Sequence, residues 1–450
     1  MNDHTVNAAA IAREIAWFRE LVQRRLRRHA GEDEPDPLVS LPPPSLPERG
    51  SAYADVVRKF DLDARERLVL ALCAAVEIQP SVLDVFFIEN RAVGKRFTEF
   101  GGVNGLSHAG FLPTGETALF LLAGDSLEAR MRAQHIFGSE HRFFTGNILR
   151  FDARHPEEPR LSAALLLSAE YAERLATGRP YQPPFSADFP AQRLTTAYEW
   201  NDLVLAHTTR DEVEEIVLWL RHEDRLLNEW GLSKRLKPGF RSLFYGPPGT
   251  GKTLTASLVG KATGRPVYRV DLSKVVSKWI GETEKNLASL FDHAQHQEWI
   301  LFFDEADSLF GRRTESRNAN DRAANQQIAY LLQRIEDFPG LVILATNLRS
   351  GLDEAFARRF QSMIYFGLPA YEQRLQLWEG NFRGKPYALA PGVDLRRLSI
   401  DYELSGGSII NVLRYACLCA VMRTPPEVRQ EDLVKGVQRE LEKEGRFVTG

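Results

Sequence analysis

Eight residues, GPPGTGKT from Gly246 to Thr253, constrain this chain more than any others. They follow the apolar run SLFY and precede a helix-patterned stretch, LTASLVGKA. Strand, glycine-rich turn and helix in that order fit the pattern G-x-x-x-x-G-K-[ST]. Glycines let backbone N–H groups turn inward onto phosphate oxygens without interference from a Cβ. The following helix adds the positive end of its dipole. Gly246, Pro247, Pro248, Gly249, Thr250, Gly251 and Leu254 then border the phosphates of a nucleotide. Lys252 is placed to reach the β- and γ-phosphates, and the Thr253 hydroxyl to ligate Mg²⁺. The strand–loop–helix context makes a chance match rare.

Apolar runs at SLFYG (242–246), VYRVDL (267–272), ILFFDEAD (300–307) and LVILATN (341–347) alternate with helical patterns. That alternation predicts an α/β fold, a parallel sheet with helices on both faces. Ile300–Phe303 ends in Asp304 and Glu305, so a buried strand would deliver both carboxylates to the C-terminal sheet edge, where ligands bind. Asp304 suits the Mg²⁺ shell and Glu305 the general base that polarises an attacking water. An acidic pair after a strand is often only a solvated strand end; the preceding glycine-rich motif favours the functional reading. Asn347 ends the last run, where a neutral amide can hold the attacking water or sense the γ-phosphate. A simple turn asparagine is the alternative.

The rest of the chain divides by composition. Residues 1–50 read as a helix with Ile11, Ile15, Phe18 and Val22 on one stripe, followed by the Pro-rich linker GEDEPDPLVSLPPPSLPERG. Six basic residues in 7–28 allow a partner-binding helix; packing on its own protein is the plainer reading. Residues 51–177 read as an α-rich docking domain, with a winged helix as one form it could take. Helices are expected at 65–78 and 161–177, and short segments at 81–88 and 117–124. A Pro-rich joint, 178–194, leads to a large domain over 195–370 and a helical lid over 371–450.

Composition removes several function classes. Of 450 residues, 44% are hydrophobic and 26% charged, with a formal charge of −3; these are the proportions of a soluble globular protein. Eleven basic residues face twelve acidic ones across 51–150, which argues against a nucleic-acid surface and for docking a protein. The longest apolar run, Leu68–Val76, is about half a membrane span, so no membrane partner is expected. The start lacks a basic segment followed by an apolar core, and so does not read as a signal peptide. Three cysteines, Cys73, Cys417 and Cys419, show neither disulfide nor metal spacing, consistent with a reducing cytoplasm.

Together, GPPGTGKT, ILFFDEAD, LVILATN and FARRF occur in the order and approximate spacing of AAA+ ATPases. The similarity covers roughly 195–445. More narrowly it resembles the AAA branch that includes katanin and the ESCRT-disassembly ATPases. The resemblance implies a P-loop NTPase fold and Mg-ATP hydrolysis in a ring of this chain, usually a homohexamer, acting on a protein substrate. It matches Arg358 and Arg359 to paired arginine fingers reaching the neighbouring subunit's γ-phosphate; a guanidinium suits this as a permanent charge on a rigid fork. It assigns nucleotide contacts to Gly407 and Ser408 in LSGGSIINVL, and adenine-side contacts to Asp202 and Leu203. In the same resemblance Lys278, Trp279, Ile280 and Gly281 of SKWIGETEK form a central pore loop whose indole grips substrate without demanding a sequence. The alternative is that Trp279 is ordinary core. Arg322 matches an intersubunit contact or a plain surface charge, and Arg414 a structural residue.

A second resemblance rests on GFLPTGETALFLLAGD (110–125), DRAANQQIAYLLQRIEDF (321–338) and the EKEGR terminus (442–446). These look like bacterial AAA ATPases found with phage-tail-like contractile injection systems, which implies assembly or remodelling of such a particle. Two other functions compete: a nucleic-acid-directed AAA+ ATPase such as a helicase loader, and a nucleotide-dependent scaffold. The near-neutral 51–150 segment speaks against the first, and the intact Lys252, Asp304, Glu305 and arginine pair against the second.

Overall fold

A computed structural model describes residues 3–90, 94–105, 107–152, 157–179, 181, 183, 185–186, 189–272, 282–307, 319–347, 357–383, 387–443 and 445–446. Lys278, Trp279, Ile280 and Gly281 lie outside them, as does the side chain of Arg322. The chain divides into two compact units, Met1–Gln182 and Pro183–Gly450.

In the first unit the helix Asp3–His29 is part of the core. Ile11, Ile15, Phe18 and Val22 pack with Leu68, Val69, Leu72 and Phe120, so the apolar stripe serves internal packing and not a partner. Polar anchoring explains why. The Asn7 amide donates to Leu175 O at 3.0 Å, and its carbonyl accepts from the Ser51 hydroxyl and the Tyr53 N–H, both at 3.1 Å. Glu14, 1% exposed, accepts two bonds from Arg67 and one from the Tyr53 hydroxyl. Residues 1–50 and 51–177 therefore share one core.

Helix Ala64–Ile78 starts at a capping box, Asp63 with Glu66, and stops before Pro80. The expected helix over 161–177 is half right. Ser168 caps a helix over Ala169–Thr177, whereas Ala164–Leu167 is a strand antiparallel to Leu149–Asp152. Three separate two-stranded ladders, and no three-stranded winged sheet, occur among the described residues of this unit.

The second unit is built on a six-stranded sheet: β1 (Ala191–Leu194), β2 (Phe240–Tyr245), β3 (Val267–Val270), β4 (Ile300–Phe303), β5 (Leu341–Thr346) and β6 (Ser362–Tyr365). The spatial order is β6-β2-β5-β4-β3-β1. All neighbours run parallel except β1, which pairs antiparallel with β3. The Pro-rich joint thus ends in an edge strand of the sheet.

Alternate residues feed opposite cores. Leu243, Leu301, Phe303, Val342 and Leu344 pack with Leu290 and Phe291 of helix Glu282–His296 and with Ile335 of helix Ala319–Asp337. Phe244, Ile300, Phe302 and Ile343 pack with Ile216 of helix His207–Asp224 and Val259 of helix Lys252–Thr263. Helices therefore cover both faces, as parallel strands require. A smaller core of Trp378, Ile409, Val412, Leu433 and Val437 holds the C-terminal helices together.

Candidate nucleotide site

The register β4–β5–β2 brings three loops to one sheet edge. Phe303 pairs with Leu344, and Thr346 with Tyr245, so Asp304, Asn347 and Gly246 leave the sheet side by side. At Gly246, φ is 142°, and a Cβ there would lie 2.1 Å from Phe366 O; only glycine fits. Gly249, also at positive φ, packs against the start of the C-terminal helical region, where an added Cβ would meet the Ser405 hydroxyl at 2.6 Å. Gly407 N donates to Gly249 O at 2.9 Å. Ser405 caps helix Gly406–Val421 by accepting from Ser408 N. Gly407, at the start of that helix, thereby contacts the glycine-rich loop itself.

Lys252, 8% exposed, begins the helix after the loop. Its ammonium donates to Gly246 O at 2.8 Å, Pro247 O at 2.9 Å and Asn347 Oδ1 at 2.9 Å, which uses all three N–H groups. Burial lowers the Lys252 pKa from its ordinary range, against the opposing pull of Asp304 and Asp307. Thr250 turns its hydroxyl to Pro247 O. Pro248 is exposed and Leu254 half-buried. The Thr253 hydroxyl lies 3.4 Å from Asp304 Oδ2.

Glu305 is exposed and holds φ of 50°, a left-handed conformation unusual for a non-glycine residue. Its backbone N–H donates to Asp304 Oδ1 at 3.1 Å.

Other expected contacts are distributed less simply. Leu203 is 3.6 Å from where a Cβ on Gly251 would be, whereas Asp202 accepts from Glu199 N within its own turn. Ser408 is buried against Ser405. Arg358 and Arg359 are both exposed, beyond β5 and just before β6. Arg359 pairs with Glu336 of its own chain at 2.5 Å. Arg414 donates to Asn411 one turn away.

Two residues escaped the sequence reading. Asp307 accepts from the Thr346 hydroxyl and from Asn347 N–H. Arg241, buried in β2, donates to Gln361 Oε1 and to Glu336 O, tying together the two segments that flank the arginine pair. A basic residue inside the apolar run FRSLFY was its only signal.

The residues fit a nucleotide and a hard divalent cation. A buried ammonium, a turn that excludes Cβ atoms and a helix N-terminus suit phosphates. A hydroxyl beside a carboxylate supplies the oxygen ligands that Mg²⁺ prefers.

Residues 242–368 match the family described as ATPase family associated with various cellular activities (AAA). An uncharacterised AAA family ATPase of Sinorhizobium fredii is 31% identical over 260 residues, 57% of this chain and 76% of that protein. Vacuolar protein sorting-associated protein 4A of Rattus norvegicus is 30% identical over 255 residues, 52% of this chain and 57% of that protein. A solved FIGL-1 AAA domain aligns with 57% of this chain and 90% of its own, at 24% identity and a TM-score of 0.45.

Proposed function

The chain belongs to the AAA family of ATPases, and on that premise we propose that it hydrolyses Mg-ATP between subunits of a ring and remodels a polypeptide. The observation that carries this reading is the Lys252 ammonium, shared among Gly246 O, Pro247 O and Asn347 Oδ1 beside the Thr253–Asp304 pair. In this reading Lys252 exchanges part of that set for phosphate oxygens and so reports nucleotide state to Asn347. Glu305, exposed at the same sheet edge, is the base that orients the attacking water. Thr253 and Asp304 would hold Mg²⁺, which supplies neutralisation of the β- and γ-phosphate oxygens. Arg358 and Arg359 act on the neighbouring subunit's nucleotide, so Arg359 exchanges Glu336 for phosphate on assembly.

Trp279, flanked by Lys278, Ile280 and Gly281, grips substrate in the central pore. The substrate class we propose is a component of a phage-tail-like contractile injection particle, on the resemblance of residues 110–125, 321–338 and 442–446.

Glu305→Gln tests the reading. It should keep ATP affinity and lower turnover by about 10²–10⁴-fold, the usual contribution of a positioned base. Unchanged turnover would refute the assignment of Glu305. The same variant, locked on ATP, should retain particle proteins in a pull-down, and adding Trp279→Ala should release them. Retention undiminished by Trp279→Ala would sink the pore-loop role, and capture of unrelated proteins alone would sink the particle.

A further inference from the structure

Asp307 lies three residues beyond Asp304, past the pair to which hydrolysis is assigned. A single oxygen, Oδ1, accepts both from the Thr346 hydroxyl and from Asn347 N–H, the latter at 3.2 Å. These partners are about forty residues away in sequence and close β4 onto β5, where Ala306 N also donates to Ala345 O at 2.8 Å. Thr346 is fully buried, so its hydroxyl has no recourse to bulk water. Asn347 is the last residue before the chain leaves the sheet, and its side chain reaches the Lys252 ammonium. One carboxylate oxygen therefore fixes both the residue before Asn347 and the backbone of Asn347 itself.

We propose that Asp307 is a positioning residue for ATP hydrolysis, acting through Asn347 by holding its amide against Lys252. The inference rests on the nucleotide-site reading above. Asp307 could instead act by charge, because its carboxylate also pulls the Lys252 pKa upward. The two roles separate by substitution. Asn at this position keeps one Oδ1 to accept both bonds and loses the charge; Ala loses both.

The test compares Asp307→Asn, Asp307→Ala, Asn347→Ala and the double variant Asp307→Ala/Asn347→Ala in the full chain, by steady-state ATPase. Asp307→Ala should lower kcat about tenfold or more, with KM changed less than about threefold, while Asp307→Asn stays within about threefold of the parent. The double variant should be no slower than Asn347→Ala, as expected for residues acting as a unit. Additive losses, or Asp307→Asn as damaged as Asp307→Ala, would overturn the proposal. Amide hydrogen exchange at Asn347 gives a readout independent of turnover. It should quicken in Asp307→Ala, and unchanged protection overturns the proposal. If Asn347→Ala itself hydrolyses ATP at the parent rate, Asn347 has no part in turnover and the proposal for Asp307 is overturned, whereas the nucleotide-site reading still stands or falls by Glu305→Gln.

Discussion

Glu170 is 1% exposed at the start of helix Ala169–Thr177, and neither carboxylate oxygen has a hydrogen-bond partner among the described residues. Burial raises its pKa to about 7, with Arg174 and Lys59 opposing more weakly. The folded pKa exceeds the unfolded one, so the native state favours the protonated acid. Below about pH 4.5 ionisation adds no cost; the penalty grows between there and pH 7 and is complete above it. Glu170→Gln should therefore raise unfolding free energy at pH 8 by about 3 kcal/mol, with the gain vanishing near pH 4.5. Urea unfolding at the two pH values measures this, and a gain independent of pH would contradict it. At this scale residues of one site differ in legibility. Lys252 and Thr253 were legible because the phosphate motif is continuous in sequence. Asp307 was not, because its partners lie on a strand that only the parallel register brings alongside.

The helix Asp3–His29 shows how an element can be legible in sequence while what it packs against is not. Its periodicity is plain, but the same stripe serves equally for a partner or for an internal core. Buried polar groups decide it: Asn7 and Glu14 have their partners at 51–67 and 175, far along the chain. Replacing Glu14 by Ala leaves Arg67 and the Tyr53 hydroxyl buried without it, which should destabilise the chain by about 3–5 kcal/mol. A shift in the urea midpoint checks this, and a change below about 1 kcal/mol would mean the pair is solvated. The strand Ala164–Leu167 was hidden for a related reason, since a short continuous apolar run fits a buried strand or a helix equally. Ala191–Leu194 was masked by the prolines before it. By contrast, β2, β4 and β5 were legible because they lead into Gly246, Asp304 and Asn347, residues whose chemistry suits a sheet edge.

For the whole molecule, 450 residues hold an N-terminal unit and an ATPase unit in which the sheet, its covering helices and the lid converge on Gly249 and Lys252. The sequence order of the motifs carried that architecture, while the one local signal of Arg241, a basic residue in an apolar run, does not reveal that it braces the segments beside Arg358 and Arg359. The chain spans only about half the length of the vacuolar sorting relative, so substrate and assembly rest on the proposal and not on likeness. The central claim is that one subunit's Glu305 and its neighbour's arginines form a single site. It is tested by mixing two inactive variants, Glu305→Gln and the double replacement Arg358→Ala/Arg359→Ala, and measuring ATPase. Mixed rings contain interfaces that join an intact Glu305 to intact arginines, so activity should reappear and rise with total protein concentration. A mixture as inactive as its components, at concentrations where the parent chain turns over, would contradict the shared site.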